Sequence, residues 1–340
     1  MSRRRPCAAA IFGVAALLSI TSAIVTGSSQ TATSDDARLR ASKTLAQAND
    51  AYGRQMYAEA AALFEAAIQD DPALRQAYFF VANSYDNLAD PVKKSDAANI
   101  AVLTRAAHYY RIAADKLSAS DVPKDKKLAR LSFEYLVAIY GRDKLNDSVE
   151  ARATAERMIA LDPWNAANYA ALAKSYENDG DYDAAERTLL LAKQANPSDP
   201  FAYMQLAGFY NRQGQFDKTI AALEERASIE PANPEAFYTI GTYYWDKAFR
   251  DFKLSTASKL EMAAKGLESV ERALQLRPDY LEALVYKGLL LRLEADLDPD
   301  PRRRDELIRQ AEQLREQAQR LRENKRRSRQ RSRRAALRRH

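Results

Sequence analysis

The chain has 340 residues, 46% of them hydrophobic, with only 10 glycines and 12 prolines. That excludes a disordered chain, and the abundance of Ala, Leu, Glu, Arg and Lys favours helix because these side chains lose little rotamer freedom there. The formal charge of +6 is unevenly placed: residues 321–340 hold ten Lys/Arg against Glu323 alone, and Arg3, Arg4 and Arg5 add three more. The stretch between is mildly acidic, which excludes a global nucleic-acid binder.

Taken in chain order, the first element is a targeting segment over 1–27. Arg3 to Arg5 form a positive region, and Cys7 to Val25 an apolar run of Ala, Ile, Val, Leu and Phe. Val25-Thr26-Gly27 fits a small-residue cleavage site before Ser28, with Thr21-Ser22-Ala23 as a rival. The run is also just long enough to cross a bilayer as an uncleaved anchor. Either way the expectation is an exported protein, periplasmic or membrane-anchored with its body outside the cytoplasm. Cys7, the only cysteine, lies at the start of the run rather than its end, so no lipid anchor is expected. A chain cleaved after it has no thiol for disulfides, metal or nucleophilic catalysis. Residues 28–40 read as a linker.

From residue 41 a helical pattern recurs. "YAALAKSYENDGDYDAAERTLLLAKQANP" begins at Tyr169, and "YMQLAGFYNRQGQFDKTIAALEERASIEP" begins 34 residues later at Tyr203. Tyr169, Leu172, Ala173, Tyr176, Gly180, Tyr182, Ala185, Leu189, Ala192 and Pro197 fall on Tyr203, Leu206, Ala207, Tyr210, Gly214, Phe216, Thr219, Leu223, Arg226 and Pro231. The small Ala173 and Ala207 permit close helix approach, Gly180 and Gly214 end the first helix in a left-handed conformation, and Pro197 and Pro231 stop the second.

This pattern resembles the tetratricopeptide repeat, a 34-residue helix–turn–helix unit. It extends with less fidelity to 41–74 (Ala48, Tyr57, Ala60, Phe64, Ala67 and Pro72, with Gln55 in place of the turn glycine) and to 130–165 (Phe133, Leu136, Tyr140 and Pro163). Units at Tyr78, Phe237 and Leu284 resume their second helices late, near Ala106, Gly266 and Ala311. Splitting roughly a dozen extra residues between two helices lengthens each by about 9 Å. The expected fold is therefore all-α, a right-handed α-solenoid of about seven such units over 41–322, three with lengthened hairpins, followed by an Arg-rich tail over 323–340.

The resemblance implies a concave groove, lined by first helices, that binds a partner protein segment. Its candidate residues are Asn83, Lys174, Asn178, Asn211, Arg212, Tyr238, Trp245 and Arg292, joined by Tyr52, Phe79, Phe80, Tyr135, Met204 and Tyr286. Such types offer contact area and orienting hydrogen bonds, with packing between repeats as the competing role for the aromatics. Clamps for a C-terminal carboxylate need a Lys one turn before an Asn, but Leu45 precedes Asn49 and Phe79 precedes Asn83, so chaperone-tail binding is not expected.

Nothing in the sequence points to catalysis, a cofactor or a metal. His108, expected to be a partly buried helix residue, and His340 lack ligand spacing. Asp179, Asp181 and Asp183 alternate around Gly180, but the twelfth position of a calcium loop would be Leu190. No phosphate-cradling glycine loop or nucleophile elbow is present. The tail, with Arg326, Arg327, Arg329, Arg331, Arg333 and Arg334, has no aromatic platform for single-stranded bases. It suits a phosphate-rich or lipid surface or an acidic protein, a contact with the acidic repeats, or a solvated end. The expectation is a non-catalytic interaction scaffold or adaptor of the cell envelope whose protein partners the sequence does not name. The rival is a protein that binds an anionic polymer or membrane surface through its tail.

Overall fold

The computed structural model describes residues 25–93 and 95–337, with side chains over 35–93 and 95–330. The predicted targeting segment therefore lies outside the described residues apart from its last three. Among the described residues there are fourteen α-helices and no strand, divided into two compact units. The first holds α1 (Val25–Gly53), α2 (Tyr57–Asp70), α3 (Arg75–Leu88), α4 (Ala97–Ser118) and α5 (Pro123–Tyr140) as far as Ile139. The second holds α6 (Ser148–Leu161), α7 (Ala166–Asn178), α8 (Tyr182–Ala195), α9 (Pro200–Arg212) and α10 (Phe216–Ile229). It continues with α11 (Pro234–Arg250), α12 (Thr256–Leu276), α13 (Leu281–Leu297) and α14 (Pro301–Leu337). The boundary falls inside the hairpin predicted for 130–165.

Local chemistry repeats with the sequence. Asn165, Asp199 and Asn233 cap α7, α9 and α11, their side-chain oxygens accepting from the amides of Ala167, Phe201 and Glu235 at 3.1, 2.9 and 3.0 Å. Pro200 and Pro234 follow at the first helical position, where a missing N–H costs nothing. The Tyr169 and Tyr203 hydroxyls donate to the carbonyls of Pro163 and Pro197 at 3.1 and 2.8 Å, tying each first helix to the proline that ended the preceding hairpin. First helices end in one turn form: the amides of Asp181 and Gln215 reach back to the Tyr176 and Tyr210 carbonyls at 3.0 and 2.9 Å, while Gly180 and Gly214 take φ of +81° and +70°. Met56 makes the same bond to Ala51 at 2.9 Å, with Gln55 held at φ 62°. Behind these turns, Ala173, Ala185, Leu189, Leu206, Ala207, Phe209, Ile220 and Leu223 form one buried cluster running through α7–α10.

Four expectations change. Residues 28–40, read as a linker from their Ser, Thr and Asp content, are helical throughout as part of α1. No Gly or Pro interrupts 28–52, and Ala41, Ala48 and Ala51 bury one face farther along. Of the three extended hairpins, α11–α12 and α13–α14 lengthen both helices, but α3 keeps 14 residues and the extra chain goes into α4, with 22, and the loop before it. Asn99 holds that loop, its amide donating to the carbonyls of Asp90 and Lys93 at 3.1 Å each and its oxygen accepting from the Asp90 amide at 2.7 Å. His108 is exposed rather than partly buried, its ring edge-on to Tyr109. The backbone of the Arg-rich end is helical to Leu337, continuous with α14. No described helix is long and apolar enough to cross a membrane.

Candidate functional site

In the second unit the first helices α7, α9, α11 and α13 carry side chains not consumed by their own hairpins, and α9 leaves the most open. Phe201, Met204, Gly208 and Asn211 share one face of it at helical spacing. Phe201 and Met204 are each 40% exposed. A Cβ at Gly208 would stand 3.3 Å from the Arg212 guanidinium, so the bare glycine lets Arg212 lie close along this face. Asn211 is exposed, and among the described residues its amide group has no hydrogen-bond partner. On α7 the Asn178 carbonyl accepts from Arg142 at 2.7 Å, leaving its side-chain amide for another partner.

Arg212 is already engaged. Its guanidinium grips the Glu177 carboxylate with both ends, at 2.7 and 3.1 Å, bridging α9 to α7, and Lys174 donates to the same carboxylate at 3.3 Å. Burial alone would push the Glu177 carboxyl up, but Arg212 and Lys174 outweigh it and hold the group below its ordinary range. Two cations on one acid leave this corner net positive.

Tyr238 and Trp245 belong to an aromatic file joining α11 to α13. Tyr238 meets Tyr280 and Tyr286 at 5.1 and 5.5 Å between ring centres, Tyr286 meets Trp245 edge-on at 5.5 Å, and Trp245 stacks on Phe249 at 4.9 Å. Burial, with Tyr286 and Tyr280 alongside, pushes the Tyr238 phenol up to about 12. Arg292 pairs with Glu312 of α14, which also holds Arg315 at 2.7 Å.

Asn83 lies in the first unit and is a junction of that unit's own packing. Its oxygen accepts from the Tyr52 hydroxyl at 2.6 Å and from Asn87 at 3.0 Å, while its amide donates to the Tyr110 hydroxyl at 2.9 Å. Tyr135 stacks on Tyr110 at 5.3 Å, and Phe79 and Phe80 complete the aromatic cluster. Asn83 thus joins α1, α3 and α4.

At the far end of the second unit, α13 and α14 enclose an open cavity of about 600 Å³ with Val285, Leu289 and Ala318 on its floor and Arg292, Arg315, Arg322 and Arg326 around it. Arg327 lies 4.0 Å from Glu323, and Arg329 lines an adjoining cavity of about 890 Å³. The side chains of Arg331, Arg333 and Arg334 lie outside the described residues. Sequence reasoning missed Phe201 and this cavity. Phe201 was legible as the residue one turn before Met204, whereas the cavity depends on how two helices meet.

Paired helices with an open first-helix face define a repeat scaffold of the kind that binds other proteins. A tetratricopeptide-repeat family profile matches residues 144–208. Among solved structures, the C-terminal part of a TPR repeat-containing protein from Cytophaga hutchinsonii is 14% identical, covering 79% of this chain and 95% of that one, with a TM-score of 0.50. A tetratricopeptide repeat protein from Parabacteroides merdae is 13% identical over 80% and 99%, with a TM-score of 0.40. MamA from Desulfovibrio magneticus is 16% identical over 64% and 96%, with a TM-score of 0.38. No curated protein matches the sequence. Residues 144–208 thus carry a tetratricopeptide-repeat signature, and the described chain shares the all-α repeat fold of these solved structures.

Proposed function

We propose that the protein is a non-catalytic scaffold or adaptor that holds an extended or helical partner segment along the first helices of its second unit. The observation that carries this reading is the free face of α9. Two half-exposed apolar side chains, Phe201 and Met204, stand on it at helical spacing, with the Asn211 amide on the same face and Asn178 on α7. Apolar contact supplies affinity, and unpaired amides orient a partner backbone. We place the work of the scaffold in the cell envelope, supported by Arg3 to Arg5 and the apolar run that follows them.

The test is site-specific photo-crosslinking from position 204 in envelope extract, with and without Asn178→Ala and Asn211→Ala. The expected result is a discrete set of crosslinked proteins, weakened by the double substitution while far-UV circular dichroism is unchanged. Crosslinks unaffected by both substitutions would move the binding surface elsewhere. N-terminal sequencing of the mature protein should begin near Ser28, and a soluble cytoplasmic chain starting at Met1 or Ser2 would remove the envelope assignment.

The rival reading, an anionic surface held by the basic end, is favoured by one feature. Among the described residues Arg322, Lys325, Arg326 and Arg329 have no ion-pair partner. Sedimentation with anionic and neutral vesicles across a salt series separates it from the scaffold reading, since a bare charge contact weakens steeply with salt.

A further inference from the structure

We infer that the α13–α14 hairpin carries a helix seat, and that this seat takes an amphipathic helix of a partner whose apolar stripe is flanked by acidic residues. The inference concerns a surface separate from the α9 face and does not rest on it.

The argument begins one hairpin upstream. There α13 is seated on α11–α12 by Tyr238 and Trp245 of α11 and by Val270 and Ala273 of α12. Tyr238 and Trp245 contact Tyr280 and Tyr286. Val270 shares a buried cluster with Leu290, and Ala273 shares one with Tyr280 and Ala283. Aligning Gly241 with Gly288 and Gly266 with Ala311 places Val285 and Arg292 where Tyr238 and Trp245 stood. The same register places Arg315 and Ala318 where Val270 and Ala273 stood. All four equivalents line the 600 Å³ cavity. The fold has thus rebuilt, on the last described hairpin, the concavity that holds a helix on the preceding one. No further helix of the described chain enters it, and Val285 on its floor is 44% exposed.

What differs between the two seats is charge, and that fixes the chemistry of the occupant. Trp245 and Val270 of the occupied seat become Arg292 and Arg315, which share the single acid Glu312. About two and three turns beyond Arg315 on α14 come Arg322 and Arg326, neither with an ion-pair partner among the described residues. Only Glu323 opposes them in the lining. Lys325 and Arg329 carry the positive excess into the adjoining cavity, where Glu282 is the one acid of the lining. A bare apolar helix would leave these cations desolvated and unpaired. A helix with Glu or Asp beside its apolar stripe matches both the floor and the rim. The lined stretch of α14, Ala311 to Arg326, is about 22 Å long at 1.5 Å per residue, which sets the occupant at about four turns.

The test uses the full chain and two synthetic 16-residue helical peptides of identical Leu/Ala/Tyr stripe, one with Glu and one with Lys at the flanking positions, followed by fluorescence anisotropy. The Glu peptide should bind at least about tenfold more tightly, a preference that electrostatic complementarity of this kind supplies. Arg322→Glu with Arg326→Glu, both on the exposed rim, should reverse the preference. Val285→Asp, which places a carboxylate on the floor, should weaken the Glu peptide, and Asn178→Ala with Asn211→Ala should change neither peptide's binding, separating this seat from the α9 face. Circular dichroism melts of each variant check that the fold is retained. Binding indifferent to peptide charge or to the Arg322/Arg326 change would overturn the proposal. So would self-association of the chain abolished by Val285→Asp, which would make a second copy the occupant. Capture by anionic vesicles with no peptide binding would assign the cations to lipid instead.

Discussion

Three first helices end in the same hydrogen-bonded turn, yet only two have glycine at its left-handed residue. Gly180 and Gly214 have nothing within 4 Å of where a Cβ would stand, so any cost of a side chain there is backbone strain alone. Gln55 bears that strain at φ 62°. Left-handed conformation costs a non-glycine residue about 1–2 kcal/mol. Gly180→Ala should therefore destabilise by about 1 kcal/mol, and Gln55→Gly should stabilise by a similar or smaller amount after the extra unfolded-state entropy of glycine. Urea denaturation reads both, and a neutral Gln55→Gly would mean the turn relaxes around its side chain. The position was legible in the sequence because the repeat aligns Gln55 with the two glycines. The Arg212–Glu177 pair was not, since it joins residues on different repeats whose rotations the alignment does not specify. Arg212 read as a binding residue is, in the structure, a brace between α7 and α9. That brace has a pH signature. A carboxyl whose folded value lies below its ordinary one contributes stability that is full above the unfolded value, 4.5, and is lost as the pH falls through the folded value. Glu177→Gln should flatten the acid limb of the stability profile below about pH 5 while leaving the neutral-to-alkaline limb parallel to wild type. An unchanged acid limb would show that Arg212 does not favour the ionised form.

The hairpins share a sequence pattern but not a packing distance. In α7–α8 and α9–α10 the small residue facing the second helix is Ala173 or Ala207, and both are buried. In α11–α12 it is Gly241, and a Cβ there would stand 2.5 Å from Val270 Cγ1 and 3.1 Å from the Gly266 carbonyl. Gly266 in turn sits 2.9 Å from Leu290 Cδ2 by the same construction. Gly241 thus lets α11 and α12 approach more closely than alanine allows, and Gly266 leaves room on α12 for Leu290 of α13 as well. In α13–α14 the equivalent Gly288 has its nearest neighbour at 3.6 Å. Gly241→Ala should thus cost about 1–3 kcal/mol through overpacking. Gly288→Ala should be neutral or stabilise by up to about 1 kcal/mol through helix propensity. Thermal melts of the two variants decide, and equal effects would contradict the difference in spacing. The sequence marked Ala173 and Ala207 as residues of close approach, but it could not grade the glycines at the equivalent places, because alanine and glycine serve the same role until the neighbours are placed. It likewise located the extra residues of the three long units but split them between both helices of each, which holds for α11–α12 and α13–α14 and fails for α3–α4, where α3 stays at 14 residues and a loop takes part of the insertion. Asn99, whose side chain turns that loop, reads in sequence as an ordinary polar residue near a helix start.

Across the whole chain the charge is partitioned, and the partition bears on how far α14 persists as a helix. Its first half is laced with ion pairs: Arg303 reaches Glu294 at 2.6 Å and Asp298 at 3.1 Å, Arg309 pairs with Glu306, and Arg315 with Glu312. Beyond Glu323 no acid follows in the sequence, and like charges fall four apart at Arg322 and Arg326 and at Lys325 and Arg329. Each such pair opposes helix by a few tenths of a kcal/mol, roughly 0.2–0.5. The favourable placing of cations at a helix C-terminus offsets part of this. Both effects are Coulombic and exposed, but the repulsions are more numerous than the dipole contact and lie along the helix, so screening should help the helix on balance. Raising sodium chloride shortens the screening length from ~10 Å at 0.1 M to ~3 Å at 1 M. Amide hydrogen exchange over 324–337 should therefore slow as salt rises, while α7 to α10, held by their buried cluster, should not respond. Low-salt addition of a short Glu-rich peptide should slow the same amides by supplying the missing acids directly. Exchange that accelerates with salt would mean that attractive pairs, not repulsions, dominate this end of the helix, and the basic segment would then be a braced structural element rather than a surface waiting for an acidic partner.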